Sequence, residues 1–373
     1  MHSLRFFNLR VALLFFVFFL APLSVSASHS VWRTKTSPVT KTFASVAVLS
    51  SQSAFAVGSA GVIVQWDGGS WQSMTSGTAE DLWGIDAVFA NDIWAVGDRG
   101  TVVRFNGTQW ATFDPAPPTN ENLLGIRARG ANDVWIVGEG GTILHYDGSA
   151  WTNFTTTDRA TTIFYAASFS SATDGWIVGS GGAVLHWDGS NWTNSVSGVT
   201  NTLFQIVARD ATHAWAVGEG GIVLRWNGTS WQSLPSAASD ALFSIAMTSN
   251  ADGWIVGDNR TLMQTADGGQ SWSTVPNPVV EAHALLRVVL TERGGWAVGT
   301  GGSIIQRTMP THTAPPENPP PVSPPQEQQP SVPPQEPTAP TPPSFPVMPP
   351  PISLPPTSEP TPEPTPTPNP APT

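Results

Sequence analysis

Residues 94–110 read WAVGDRGTVVRFNGTQW, and this stretch decides the fold because its pattern recurs along most of the chain. The opening phrase is an aromatic residue, then Ala or Ile, then Val-Gly. It occurs seven times, at residues 55–58, 94–97, 135–138, 176–179, 215–218, 254–257 and 296–299. The closing glycines are 39 to 42 residues apart. A fixed period of this size indicates a repeat protein in which each unit is one supersecondary element.

Each unit contains four short strands and shows no helical periodicity. A strand such as 82–85 comes first, the aromatic phrase is the second, and an apolar run such as 101–105 is the third. An Asn-Gly or Asp-Gly pair then leads to a strand that opens with Trp, as at Trp110. These pairs adopt the positive φ angles that tight hairpin turns require. The pattern predicts an all-β, seven-bladed β-propeller with four-stranded blades.

The seventh unit ends at Met309 without a Trp-led fourth strand. The missing strand matches residues 31–38 at the other end of the repeats, because Trp32 there stands where Trp71 and Trp151 stand in their own units. We therefore predict that the N-terminal strand closes the ring. Closure removes the exposed sheet edge that an open array of blades would present.

The two ends of the chain differ in composition from the repeats. Arg5 and Arg10 precede the apolar run 11–20, and small residues follow at 25–27, which predicts a signal peptide over residues 1–27 and an extracellular or cell-surface protein. An uncleaved anchor is the alternative, and no further membrane span is predicted. The propeller is predicted over residues 28–309. Residues 310–373 hold 28 of the 36 prolines and no Lys or Arg, so we predict a disordered proline-rich spacer.

Overall charge and cysteine content exclude several classes of partner and of functional site. The formal net charge of −11 argues against nucleic acid, since phosphate binding needs clustered basic residues, and it favours a basic protein partner. The absence of cysteine excludes disulfides, thiolate metal sites and thiol nucleophiles.

Residues 265–272, TADGGQSW, resemble an Asp-box, the S/T-x-D-x-G-x-T/S-W turn of BNR-repeat proteins. Asp67, Asp147 and Asp188 begin shortened forms of the same turn. The longer phrase 253–272 is similar to the photosystem II assembly and stability factor family, and the similarity covers roughly residues 31–309. The resemblance implies a seven-bladed propeller that acts as an assembly chaperone and has no catalytic residues.

Asp-boxes also occur in sialidases, which use an arginine cluster and a Tyr nucleophile paired with Glu. First-strand arginines are present at Arg127, Arg129, Arg209 and Arg287. Tyr146, however, occupies a column that sister units fill with Trp or Phe, which indicates packing, and Tyr165 has no evident Glu partner. We predict no enzyme activity and no catalytic residues, with a sialidase-like hydrolase as the third alternative.

His145 and His186 occupy equivalent third-strand positions, in a column whose other members are Gln or Arg. Because every member of the column donates hydrogen bonds, we predict a structural role and no metal or cofactor. The Trp residues that recur in the second and fourth strands are predicted to pack between blades. Their alternative role is to stack on sugars.

The turns between second and third strands depart from the repeat, as a specific binding surface requires. Their charged residues are the candidate partner-binding residues: Asp98, Arg99, Glu139, Glu219, Asp258 and Arg260. We predict a non-catalytic scaffold that binds a protein. The alternative is an extracellular module that binds cell-wall polysaccharide.

Overall fold

The computed structural model describes residues 31–291 and 294–308. The predicted signal peptide and proline-rich spacer lie outside the described residues. No helix in the described ranges has the length and apolar character needed to cross a membrane.

The described residues form seven four-stranded antiparallel sheets, which confirms the predicted propeller. The first six blades contain consecutive strands: β2(Phe43–Ser50), β3(Ser53–Gly58), β4(Ile63–Trp66), β5(Trp71–Met74); β6(Leu82–Phe89), β7(Asp92–Gly97), β8(Val102–Phe105), β9(Trp110–Thr112); β10(Leu123–Gly130), β11(Asp133–Gly138), β12(Ile143–Tyr146), β13(Trp151–Asn153); β14(Phe164–Ser171), β15(Asp174–Gly179), β16(Val184–Trp187), β17(Trp192–Asn194); β18(Leu203–Asp210), β19(His213–Gly218), β20(Val223–Trp226), β21(Trp231–Leu234); β22(Leu242–Met247), β23(Gly253–Gly257), β24(Leu262–Thr265), β25(Ser273–Thr274).

The seventh blade is assembled from both ends of the repeat region, as predicted. It contains β26(Leu285–Thr291), β27(Gly294–Gly299), β28(Ile304–Thr308) and the N-terminal strand β1(Val31–Thr34). Strand β1 pairs antiparallel with β28, with Trp32 opposite Arg307. The helical elements in the described ranges are single 3-10 turns: Ser59–Gly61, Asp98–Gly100, Thr157–Arg159, Ser180–Gly182, Glu219–Gly221 and Thr300–Gly302.

The recurring Trp residues form the core between neighbouring blades. The second-strand aromatics are almost fully buried, and six of the seven fourth-strand Trp residues are buried as well. Trp176 of the fourth blade packs edge-on against Trp231 of the fifth, with ring centroids 5.1 Å apart. Trp296 meets Trp71 in the same way at 4.9 Å. The predicted packing role is therefore confirmed, and such pairs stabilise beyond the area they bury.

The closing glycine of each phrase is required by a close backbone approach. A Cβ on Gly97 would overlap the carbonyl oxygen of Asp81, and the same overlap would occur at Gly218 with Thr202. Asp81 directly precedes the first strand β6. Its carbonyl accepts a hydrogen bond at 3.0 Å from the N–H of Asp98, the residue after the glycine. The glycine thus lets the end of the second strand lie against the start of the first.

The first strands line the centre of the ring, where those of adjoining blades contact each other. Every first strand has a β-bulge at its second residue. In β6, Leu82 pairs with Gly97 and Gly84 with Val96, so Trp83 between them has no partner in the ladder. Bulges re-aim side chains. Here the same displaced position is repeated around the ring.

Candidate functional site

The structure places the six predicted partner-binding residues in the turns between second and third strands. These turns lie at the same end of each blade as the start of the first strand, because Leu82 pairs with Gly97 and Leu203 with Gly218. The turns at Asp98–Gly100 and Glu219–Gly221 also contact the first strand of the following blade. The candidates therefore share one face of the ring, called here the turn face. Their role in binding stays a prediction.

Several of these charged side chains are held by their neighbours. The Trp83 indole N–H donates to Asp98 Oδ1 at 2.6 Å. Arg99 forms an ion pair with Glu80 at 2.6 Å, although the arginine side chain is largely exposed. The carboxylate of Glu219 accepts the Thr202 backbone N–H at 3.0 Å. The remaining three contact adjacent polar groups: Glu139 accepts from the Asn122 amide, Asp258 accepts from the Asn259 N–H, and Arg260 donates to the Asn277 carbonyl.

A ring of seven apolar side chains on the turn face was missed in the sequence. It consists of the displaced second residues of the first strands: Ala44, Trp83, Leu124, Tyr165, Phe204, Phe243 and Leu286. Together they wall a cavity of about 370 Å³ at the mouth of the central channel, called here the mouth cavity. This volume lies in the range of ligand-binding pockets.

Three of the four aromatic members of the ring, Tyr165, Phe204 and Phe243, form a continuous wall. The ring centroids of Tyr165 and Phe204 are 5.3 Å apart, and those of Phe204 and Phe243 are 5.5 Å apart. Trp83 is 38% exposed, in contrast to the buried Trp residues between blades. Partly exposed aromatic side chains at a concave surface are typical of binding sites.

Two charged residues of opposite sign also line the mouth cavity. Glu139 contributes a carboxylate from its turn, and Arg287 contributes a guanidinium from β26. Burial, together with the negative charges of Glu219 and Glu139, raises the pKa of Tyr165. A tyrosine nucleophile needs the opposite shift, so this environment keeps the phenol protonated.

The first-strand arginines do not form the arginine cluster of a sialidase, although Arg127 is near enough to Arg287 for its charge to lower the pKa of Arg287. Arg287 lines the mouth cavity, whereas Arg127 lies 3.4 Å from Asp86 and Arg129 lies 3.5 Å from Asp133. Arg209 donates to the Met247 carbonyl at 2.9 Å. Tyr146 is 7% exposed and packs among aromatic rings, so its predicted packing role is confirmed.

The third-strand histidines take part in contacts within their own blades. His145 Nε2 lies 3.0 Å from Asp133 Oδ1, and the imidazole stacks on Trp135. His186 Nε2 lies 2.8 Å from Asp174 Oδ1, and its ring packs at a tilt against Trp176. Across residues 31–291 and 294–308, no three His, Asp or Glu side chains are grouped in a way that would hold a metal ion.

Comparisons with known proteins extend this description. The family model of the photosynthesis system II assembly factor YCF48 matches residues 67–188 and 227–311. No curated protein sequence matches the chain.

Three similar solved structures are propellers of low sequence identity. YCF48 bound to a D1 peptide is 17% identical, with a TM-score of 0.64 over 74% of this chain and 95% of that one. YCF48 from Cyanidioschyzon merolae is 18% identical, with a TM-score of 0.63 over 74% and 98%. A catalytically inactive virginiamycin B lyase from Staphylococcus aureus with quinupristin is 10% identical, with a TM-score of 0.67 over 75% and 100%. At these identities the structural likeness concerns the fold.

Proposed function

The chain belongs to the family of the photosynthesis system II assembly factor YCF48, and we propose that it is an exported, non-catalytic scaffold that binds a protein partner at its turn face. The observation that carries the proposal is the mouth cavity, where partly exposed aromatic side chains surround a concave apolar surface. The proposal is further supported by the family relationship and by YCF48, which has been solved bound to a D1 peptide.

The mouth cavity supplies the apolar part of the proposed interface. Trp and Tyr are enriched among residues that dominate binding energy, because they bury large rigid surfaces and retain a polar group. Trp83 presents its ring to solvent while its indole N–H is held by Asp98. The side chain is therefore positioned before a partner arrives, which reduces the entropy lost on binding.

The carboxylates on the turns supply the electrostatic part. Asp98, Glu139, Glu219 and Asp258 stand at matching turns of the second, third, fifth and sixth blades. Like charges around one rim raise the local negative potential, which speeds encounter with a basic partner. We propose that the partner is a protein segment with apolar side chains for the cavity and basic residues for the rim.

Export is proposed from the N-terminal sequence. Arg5 and Arg10, the apolar run 11–20 and the small residues 25–27 have the order of a signal peptide. N-terminal sequencing of the protein recovered outside the cytoplasm is expected to begin near Ser28. Recovery of the uncut chain in the cytoplasm would contradict export.

Partner binding is tested with the full mature chain and two matched variants. Trp83→Ala removes an aromatic ring from the mouth cavity, whereas Phe89→Ala removes one that is 63% exposed at the opposite end of the same strand. We expect defined envelope proteins to be captured by the parent and by Phe89→Ala, and lost with Trp83→Ala. Equal capture by both variants would refute the proposed surface. Retention of the parent on purified wall glycan, with no protein captured, would favour the polysaccharide alternative.

A further inference from the structure

Arg287 is the charged exception in a neutral column. It is the third residue of its first strand, where the other blades carry Ser45, Gly84, Gly125, Ala166, Gln205 and Ser244. This position follows the bulge, so Arg287 lies next to the ring residue Leu286 and lines the same mouth cavity. The repeat therefore does not require a cation here.

The positive charge of the Arg287 guanidinium is only partly compensated by the protein. Its Nε atom is buried without a hydrogen-bond partner, and no carboxylate forms an ion pair with it among the residues that the structure describes. The side chain as a whole is half-buried, and its buried Nε donor carries a desolvation cost that no protein contact offsets. Burial, followed by the positive charge of Arg127, lowers the pKa of Arg287 to about 10, so it remains protonated at neutral pH.

The nearby carboxylate of Asp86 is already engaged. Its Oδ2 atom accepts the Ala128 backbone N–H at 2.9 Å and lies 3.4 Å from Arg127 Nη1. Its Oδ1 atom accepts the Ala87 N–H at 3.0 Å. Asp86 offsets part of the charge on Arg287 through space and makes no hydrogen bond to it. Glu139, the other charged residue of the lining, accepts a hydrogen bond from the Asn122 amide. Within the described residues the Arg287 guanidinium therefore lies beneath the apolar ring without a carboxylate bound to it.

We infer that the mouth cavity binds a ligand carboxylate on Arg287, with an apolar or aromatic ligand body packed against the ring. Guanidinium and carboxylate match in geometry and charge, and their hydrogen bonds are among the strong ones. The inference rests on the proposed function in one respect, the use of the mouth cavity as a binding site. Two sources carry this chemistry, the C-terminal carboxylate of a peptide and a small aromatic acid.

The test compares probes that differ only in the carboxylate. N-acetylphenylalanine and its amide are titrated into the full mature chain by calorimetry, with the indole fluorescence as a second readout. We expect the acid to bind at least about tenfold more tightly than the amide, the difference typical of a hydrogen bond to a charged group. Equal affinities, or no binding of the acid, would overturn the inference.

Two variants assign the effect to Arg287. Arg287→Met keeps the side-chain length and removes the charge, and it should reduce the affinity ratio of acid to amide to about one. Arg33→Met removes an equal charge from an exposed position on β1, outside the cavity lining, and should keep the ratio. A ratio preserved in Arg287→Met would overturn the inference. Unchanged amide affinity in that variant shows that the cavity is still formed.

The source of the carboxylate is decided by chain length. A tripeptide ending in phenylalanine with a free C-terminus is compared with the single acid and with the amidated tripeptide. Tighter binding of the free tripeptide assigns the site to a peptide C-terminus, whereas equal binding of tripeptide and single acid assigns it to a small acid. If the acid binds no more tightly than the amide, capture of protein partners through Trp83 still stands as a separate result. The two proposals therefore fail independently.

Discussion

Trp32 is the side chain on which closure of the ring depends, so Trp32→Ala tests that closure directly. Trp32 is 5% exposed and packs edge-on against Trp254 with ring centroids 5.4 Å apart. It also contacts a cluster that contains Leu285 and Ile305 of the seventh blade. Truncation of a buried Trp to Ala typically lowers the free energy of unfolding by about 3–5 kcal/mol. For a domain of this size the melting temperature should fall by roughly 10 °C.

The matched control lies in the same strand. Val31 is 47% exposed, so Val31→Ala should change the free energy of unfolding by less than about 0.5 kcal/mol. Deletion of residues 28–38 should act on the whole ring, because β28 then loses its neighbour and becomes an exposed sheet edge. Urea unfolding followed by Trp fluorescence and far-UV circular dichroism measures both effects, and scanning calorimetry shows whether one transition remains.

Two results would refute the role of β1. The first is a Trp32→Ala protein that unfolds at the same urea concentration as Val31→Ala. The second is a 28–38 deletion that melts as cooperatively and at the same temperature as the parent. Either result would mean that the other strands hold the ring without closure by the N-terminal strand.

Further predictions concern the turn face, the Asp turns and the C-terminal region. Replacing the four turn carboxylates with their amides should slow association with a basic partner and flatten its salt dependence, with little change in stability; equal salt slopes by biolayer interferometry would count against this. The positions changed are Asp98, Glu139, Glu219 and Asp258. The Ala150 N–H, followed by the Ser149 hydroxyl, lowers the pKa of Asp147 to about 2, so its contribution to stability is present above about pH 4 and is lost as the pH falls towards 2. Asn106 and Asn227 accept the same turn hydrogen bonds in their own blades, so Asp147→Asn should melt like the parent at pH 7 and lose less stability on acidification. Identical melting temperatures of parent and variant between pH 7 and pH 2 would contradict this role of the Asp147 carboxylate. Removal of residues 310–373 should leave the melting temperature unchanged, because β1–β28 complete all seven sheets without it; a large fall would show that the region stabilises the propeller.

The sequence by itself determined the fold of the repeat region. The recurring phrase ends in a glycine because a Cβ there would overlap the backbone that precedes the first strand, as at Gly97. Its aromatic residue recurs because each blade must bury the same surface against the next. The position of Trp32 indicated which strand completes the seventh blade. These features repeat with the fold, so a single chain displays each of them seven times.

The candidate binding surface was determined only in part. The charged turn residues, such as Asp98 and Glu219, were recognised because they break the repeat and because turns lie on surfaces. The ring that includes Trp83 and Phe204 was not recognised from the sequence. Side chains of a regular strand point alternately to its two faces, so each of these residues was interpreted as an ordinary strand position next to a buried leucine.

The tertiary structure decided the mouth cavity for a physical reason. A β-bulge at the second residue of each first strand displaces one side chain from the ladder, and the ring brings seven such side chains to the channel mouth. Neither effect is visible in a local pattern of polarity. The charge balance at Arg287 likewise depends on where three first strands place Arg127, Asp86 and Arg287 itself, which a linear sequence does not specify.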